Sequence, residues 1–162
     1  MGVAIHRGHS PYGPSSETRP HFGAHAQPTC RQRSVWSLAF RRDADSDASE
    51  VRALRRALEV GEIVVSTGLI LQELLQGFAG PRARKDIIER FTALPLITPD
   101  RQDHIDAADL RNRCRRAGVQ IGTIDALLAQ LCIRHELMLL TTDNDFARIA
   151  SHCPLRVWRQ DR

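Results

Sequence analysis

The chain has 162 residues, 42% of them hydrophobic, which suits one domain with a core of ordinary size. No stretch approaches the roughly 18 to 20 apolar residues of a membrane span. The N-terminal residues include no apolar region of the kind found in a signal peptide, so we expect a cytoplasmic protein without membrane contact. The net charge of +4 admits a polyanionic partner without identifying one. Four scattered cysteines predict reduced thiols rather than a zinc site or a disulfide framework.

Residues 1–33 are rich in proline and histidine, and Val3 and Ile5 are their only branched aliphatic residues. Such a segment buries too little apolar surface to offset its ordering entropy. We therefore predict a disordered or non-native tail over residues 1–33 and a folded domain over residues 34–162. An alternative is that the tail binds a metal ion through its four histidines, His6, His9, His21 and His25. A solvated, disordered tail is the favoured interpretation.

From residue 34 onward, helical spacing of apolar residues alternates with short apolar runs. The helical segments are bounded by capping residues, prolines or glycines, and they are predicted from Ser34 to Phe40, from Ser49 to Gly61, from Ser66 or Thr67 to Gly77, from Pro81, from Ile105 to Ala117, from Thr123 and from Phe146. The strand candidates are residues 63–65, 96–97, 137–140 and 155–158. This alternation predicts an α/β sandwich around a mainly parallel sheet, in which ligands bind beyond the carboxyl ends of the strands.

Four acidic residues follow the ends of apolar elements. Glu73 lies in LILQELLQG, Asp125 lies in GTIDALLAQL, and Asp143 and Asp145 lie in LLTTDNDF. Asp125 could simply complement the helix dipole, and Asp143 or Asp145 could cap the next helix. Clustered carboxylates instead call for a cation, and Mg²⁺ or Mn²⁺ suits an all-oxygen site. The spacing alone leaves both interpretations open.

Several segments in the right order resemble one known family, the PIN-domain ribonuclease toxins of the VapC type. They are SVWSLAFRRD, LILQELLQGF, GTIDALLAQLCIRHELMLLTTDNDFARIA and CPLRVW, and the likeness runs from about Ser34 to Trp158. The resemblance implies a three-layer α/β/α sandwich around a mainly parallel sheet.

The resemblance also implies an Mg²⁺- or Mn²⁺-dependent endoribonuclease that hydrolyses RNA to a 5′-phosphate and a 3′-hydroxyl. Such toxins are typically homodimers, and a VapB-type antitoxin holds them inactive. By position, Glu73, Asp125, Asp143 and Asp145 match the family's catalytic acids. Asp125 with Asp143 or Asp145 would then ligate the metal, and Glu73 would complete the shell or orient the attacking water.

The sequence departs from the family before the first helix. The family has there an apolar strand ending in aspartate, whereas this chain has AHAQPTCRQR, with Gln32 at the aspartate's place. The first strand is therefore predicted to be degraded or missing. The abrupt change at Ser34 favours a frameshift, a rearrangement or a misassigned start, and a degenerate toxin is the competing explanation.

Three functional interpretations follow. The leading one is a VapC-like endoribonuclease weakened by the lost aspartate. The second is an inactive PIN-like module that dimerises or binds a VapB-type antitoxin. A small-molecule phosphohydrolase is the third and least favoured interpretation, because the sequence has no aspartate-nucleophile motif. The residues expected to contact RNA phosphates are Arg41, Arg42, Arg82, Arg84 and Arg113.

Overall fold

Seven helices and six short strands make up the described part of the computed structural model, which covers residues 4–6, 29–31, 33–40, 48–78 and 80–160. For residues 4–6, 29–31, 33 and 34 it describes the backbone alone. The helices are α1 Arg33–Phe40, α2 Ser49–Glu59, α3 Gly68–Gly77, α4 Pro81–Thr92, α5 Arg101–Arg116, α6 Thr123–Arg134 and α7 Asp145–Ala150. The strands are β1 Ala4–His6, β2 Thr29–Arg31, β3 Ile63–Thr67, β4 Leu96–Ile97, β5 Met138–Leu140 and β6 Arg156–Val157.

The strands form two three-stranded sheets, in the orders β1-β3-β4 and β2-β5-β6. Strand β3 pairs in parallel with β4, and β5 pairs in parallel with both β2 and β6. Only the pairing of β1 with β3 is antiparallel among the described strands. The predicted mainly parallel arrangement is confirmed.

Two apolar cores lie on opposite faces of the strands. One core is built by α1 to α4, with Ile70 and Leu74 of α3 fully buried one turn apart. The other is built by α5, α6 and α7. Neighbouring residues of β5 serve both, since Leu139 packs into the α5–α7 core and Leu140 into the α1–α4 core. This alternation is what a pleated strand between two helical layers produces, and it confirms the three-layer sandwich.

Helices α1 and α7 each begin one residue earlier than predicted, at Arg33 and Asp145, and the starts of α5 and α6 differ in their capping. Helix α5 begins at Arg101 rather than Ile105, because Asp100 and Asp103 form a capping box. The Oδ1 atom of Asp100 accepts the Asp103 N–H at 2.9 Å, and Oδ2 of Asp103 accepts the Asp100 N–H at 2.8 Å. In α6 the N-cap is Gly122, so Thr123 is the first helical residue rather than the cap. Polar residues before the apolar spacing begins explain the error at the start of α5, since they carry the capping signal.

Helix α6 is tied to α5 near both of its ends. Near its start, Nε of Arg111 donates to the Ile121 carbonyl at 3.1 Å. At its end, Nη1 of Arg134 lies 2.6 Å from carboxylate oxygens of both Asp100 and Asp103. Asp103 is 1% exposed, so this second contact neutralises a buried charge. These contacts fix the antiparallel α5–α6 pair, which carries one of the predicted site residues.

Strands β1 and β2 fall inside the segment predicted to be a disordered or non-native tail. Both pair with the sheet strands through their backbones. Arg33 begins α1, and the remaining residues of 1–33 lie outside the described ranges, so the prediction for the segment as a whole stays a prediction. Strand β2, three residues long and directly before α1, is the short and polar version of a first strand that the sequence led us to expect.

Within the described ranges, no helix has both the length and the apolar character needed to cross a membrane.

Candidate active site

Asp125 lies in the first turn of α6 and is half-buried. It stands three residues after the N-cap, Gly122, and its carboxylate leans over that glycine. A Cβ atom added to Gly122 would lie only 2.7 Å from Oδ2 of Asp125. The position of Asp125 is therefore set by the start of α6, which the Arg111–Ile121 hydrogen bond holds in place.

Burial raises the pKa of Asp125 above its ordinary value, because desolvation disfavours the charged form. The negative charges of Asp143 and Asp145 raise this pKa further, and the Gly122 backbone N–H opposes the rise. Asp143 and Asp145, which come from a separate part of the chain, therefore lie within electrostatic reach of Asp125. Such a group favours a cation, which would relieve the repulsion.

The second part of the chain is the turn between β5 and α7. The Asp143 N–H donates to Oγ1 of the buried Thr141 at 3.0 Å, and the Asp145 N–H donates to Oδ1 of Asp143 at 2.8 Å. Asn144 takes the N-cap position of α7 and makes no side-chain cap bond. The hydrogen bonds hold Asp143 in a fixed orientation directly after the carboxyl end of β5.

Asp143 and Asp145 differ in their surroundings. Asp143 is half-buried, whereas the Asp145 side chain is 61% exposed and lies 3.4 Å from Nη1 of Arg148. An exposed ion pair of this length is weak and easily replaced by water. Asp143 is therefore the better placed of the two to face Asp125 from inside the site.

Glu73 is half-buried on α3, between the fully buried Ile70 and Leu74. Among the described residues it has no hydrogen-bond or ion-pair partner. The structure thus brings Asp125, Asp143 and Asp145 together electrostatically, and Glu73 stands outside that group.

Strand β2 runs parallel to β5, with Arg31 opposite Leu140. Its carboxyl end therefore lies beside the start of the turn that carries Asp143. Gln32, the next residue, lies outside the described ranges, and the sequence from residue 29 to residue 42 contains no carboxylate. This segment cannot add a negative charge to the site.

A cleft of about 700 Å³ adjoins the start of α6. It lies beyond the carboxyl ends of β3 and β4, between α3, α5 and α6. Its lining contains no carboxylate, and its basic side chains are His104 and Arg111. The cleft is therefore not a second metal site, and it leaves room for a ligand beside the acidic group.

The predicted RNA-contact residues fall into two groups. Arg82 and Arg84 on α4 and Arg113 on α5 are exposed, and none of them forms an ion pair with a described residue. Arg41 and Arg42 lie outside the described ranges. Sequence patterns gave no sign of Gly122, Arg111 or Thr141, although a glycine three residues before an acidic residue is a signal that could have been weighed.

The donor chemistry of the acidic group fits Mg²⁺ or Mn²⁺, because every available ligand is a carboxylate oxygen. The described residues contain no group of three or more histidine, cysteine, aspartate or glutamate side chains placed to hold a metal ion jointly. Magnesium ions are commonly held by one or two carboxylates together with water and substrate phosphate. The described residues therefore offer carboxylates for an open site of that kind and not a closed protein cage.

Residues 33–151 match the PIN domain family. Among curated proteins, the VapC ribonuclease Mb1587 of Mycobacterium bovis and ribonuclease VapC11 of Mycobacterium tuberculosis are each 32% identical over 121 residues, which is 72% of this chain and 87% of the relative. PIN-domain ribonucleases generally depend on a divalent metal ion.

Two solved structures share the fold. One is VapBC2 from Rickettsia felis bound to a DNA fragment from its promoter, with a TM-score of 0.63 at 18% identity, covering 81% of this chain and 97% of that one. The other is FitAcB from Neisseria gonorrhoeae, with a TM-score of 0.58 at 19% identity and coverages of 80% and 95%. The chain belongs to the PIN-domain family, among the VapC ribonucleases.

Proposed function

We propose that this chain is a metal-dependent endoribonuclease and the toxin of a VapBC-type toxin–antitoxin pair. The observation that carries the proposal is the half-buried Asp125 at the start of α6, within electrostatic reach of the hydrogen-bonded turn that carries Asp143 and Asp145. The ribonucleases VapC11 and Mb1587, which match this chain over most of their length, support the reaction class.

In this proposal Asp125 and Asp143 are the direct ligands of Mg²⁺ or Mn²⁺. Asp145, which is more exposed, acts through water, and Glu73 completes the shell or orients the attacking water. A bound ion would lower the pKa of the attacking water and would neutralise charge at the scissile phosphate. The hydrogen bonds from Asp145 N–H to Asp143 and from Asp143 N–H to Thr141 hold the turn so that it need not reorganise around the substrate.

The RNA backbone would be held by basic side chains. Arg82, Arg84 and Arg113 are exposed and have no competing carboxylate among the described residues, and Arg41 and Arg42 complete the proposed set. Phosphate contacts of this kind release counterions, so we expect RNA affinity to fall steeply with salt. They position the RNA without selecting its sequence.

We further propose a VapB-type antitoxin as partner, a homodimer as the toxin's assembly and the cytoplasm as its location. The VapBC2 structure from Rickettsia felis, which shares the fold, supports a partner of this class. The buried Cys114 thiol, which forms no disulfide with a described residue, agrees with a reducing compartment.

A second candidate function is an inactive PIN-like module that dimerises or binds a VapB-type antitoxin. The segment from β2 to α1 favours this candidate, because the carboxyl end of β2 lies beside the Asp143 turn and the segment contains no carboxylate. Without that charge the site has one carboxylate fewer, and metal affinity falls as carboxylate ligands are lost.

RNA cleavage by two chains distinguishes the candidates. One is the chain as it stands, and the other carries an apolar strand in place of Thr29–Arg31 together with Gln32→Asp. We expect slow cleavage by the first and faster cleavage by the second, with Mg²⁺ or Mn²⁺ required, EDTA inhibitory and Asp125→Asn inactive in both. If neither chain cleaves RNA and the restored strand does not improve folding, the ribonuclease proposal is wrong.

A further inference from the structure

The N-cap of α6 is a glycine, whereas α3 and α5 begin with side-chain caps. Helix α3 begins after Thr67, whose Oγ1 accepts the Ile70 N–H at 3.4 Å, and α5 begins with the capping box of Asp100 and Asp103. Helix α6 begins after Gly122, which has no side chain to offer. Serine, threonine, aspartate and asparagine at this position stabilise a helix more than glycine does.

Backbone conformation does not explain the glycine. Gly122 has φ −66° and ψ 157°, an extended conformation that any residue adopts. Steric crowding does explain why residue 122 is a glycine. An added Cβ atom would lie 2.7 Å from Oδ2 and 3.6 Å from Cγ of Asp125, and the shorter distance is too close for two atoms that are not bonded.

Helix α5 shows what a side chain at the N-cap does to an aspartate three residues later. There Asp103 coexists with the Asp100 side chain, and its carboxylate is buried and bound by the Asp100 N–H and by Arg134. In α6 the N-cap has no side chain, and the Asp125 carboxylate takes the vacated space. It remains half-buried and close to Asp143 and Asp145.

We infer that Gly122 is a positioning residue for Asp125: its missing side chain leaves the room that lets this carboxylate turn toward the acidic group. The inference rests on the proposed function, in which Asp125 is a metal ligand, and it adds a residue that positions this ligand. It predicts that a side chain at residue 122 displaces the carboxylate while the helix stays folded.

The test compares Gly122→Ala with Gly80→Ala. Gly80 is a matched control because it is the N-cap of α4, has φ −78° and ψ 137°, and has no atom within 4 Å of an added Cβ. Gly122→Ser is the second variant, because serine is a preferred cap and protects against a simple loss of folding. For the full chain and each variant, Mn²⁺ affinity is measured by electron paramagnetic resonance, the χ1 angle of Asp125 by NMR couplings, and the melting temperature by circular dichroism.

We expect Gly122→Ala and Gly122→Ser to change the Asp125 rotamer and to weaken Mn²⁺ binding roughly 10- to 100-fold, as the loss of a supporting residue around a metal does. The melting temperature of Gly122→Ser should equal or exceed that of the parent, because serine is the better cap. Gly122→Ala and Gly80→Ala should share the same small loss, because alanine caps a helix less well than glycine, and Gly80→Ala should bind Mn²⁺ like the parent. An unchanged rotamer in Gly122→Ala overturns the inference. A parent chain that binds no Mn²⁺ contradicts the proposed function instead, and the rotamer measurement still decides the role of Gly122.

Discussion

Removing Arg134 should destabilise the fold through the carboxylate that it neutralises. Asp103 is 1% exposed, and its Oδ2 atom receives Arg134 Nη1 at 2.6 Å and the Asp100 N–H at 2.8 Å. Its Oδ1 atom has no hydrogen-bond partner among the described residues. Arg134→Ala therefore leaves a buried negative charge with one backbone hydrogen bond.

The expected cost follows from the exposure of the two partners. Breaking a fully buried ion pair by removing one member costs about 3 to 5 kcal/mol. The Arg134 side chain is 43% exposed, so water already screens part of the interaction, and roughly 2 kcal/mol is the appropriate figure. For a chain of this size that corresponds to a loss of roughly 4 to 8 °C in melting temperature.

Urea and thermal unfolding of three variants measure this cost. Lys85→Ala is the control, because Lys85 and Glu89 are 3.7 Å apart and mostly exposed, a pair worth about 0.5 kcal/mol or less. Adding Asp103→Asn to Arg134→Ala should recover part of the loss, since the amide oxygen still accepts the Asp100 N–H without a buried charge. If Arg134→Ala costs no more than Lys85→Ala, the buried charge is not what the arginine stabilises, and the reasoning is refuted.

Two further predictions concern pH. The pKa of Asp125 is raised, so its ionisation opposes folding at neutral pH. Asp125→Asn should therefore melt at the same or a higher temperature than the parent at pH 7. Any gain in melting temperature should shrink as the pH falls through the ordinary aspartate range. A loss of about 1 kcal/mol at pH 7 would instead identify Asp125 as a helix cap. Burial, followed by the positive charge of Arg134, lowers the pKa of His135, so stability that is present above pH 6.5 should be lost as the pH falls below that value. His135→Gln should flatten this dependence in melting curves between pH 7.5 and pH 5, and an equal pH dependence in both proteins would contradict it.

The elements of the fold were readable from local patterns. The strand β5 and the helices α3 and α4 have strong apolar spacing and clear boundaries at Thr67, Gly77 and Pro81, so their positions could be predicted from the chain alone. The start of α5 was misplaced because its capping box precedes the apolar spacing. The polar strand β2 carries no pattern that distinguishes it from a loop, and only its pairing with β5 identifies it.

The sequence by itself determined which acidic residues were candidates, because each follows an apolar element and because the segments around them resemble one family. Only the tertiary structure decided which of them meet. Asp125 and Asp143 are 18 residues apart in sequence, and they approach because α6 is held against α5 while the turn after β5 is held by Thr141. The role inferred for Gly122 likewise depends on side-chain conformation: a Cβ atom added at residue 122 would lie 2.7 Å from Oδ2 of Asp125, which the order of residues does not show.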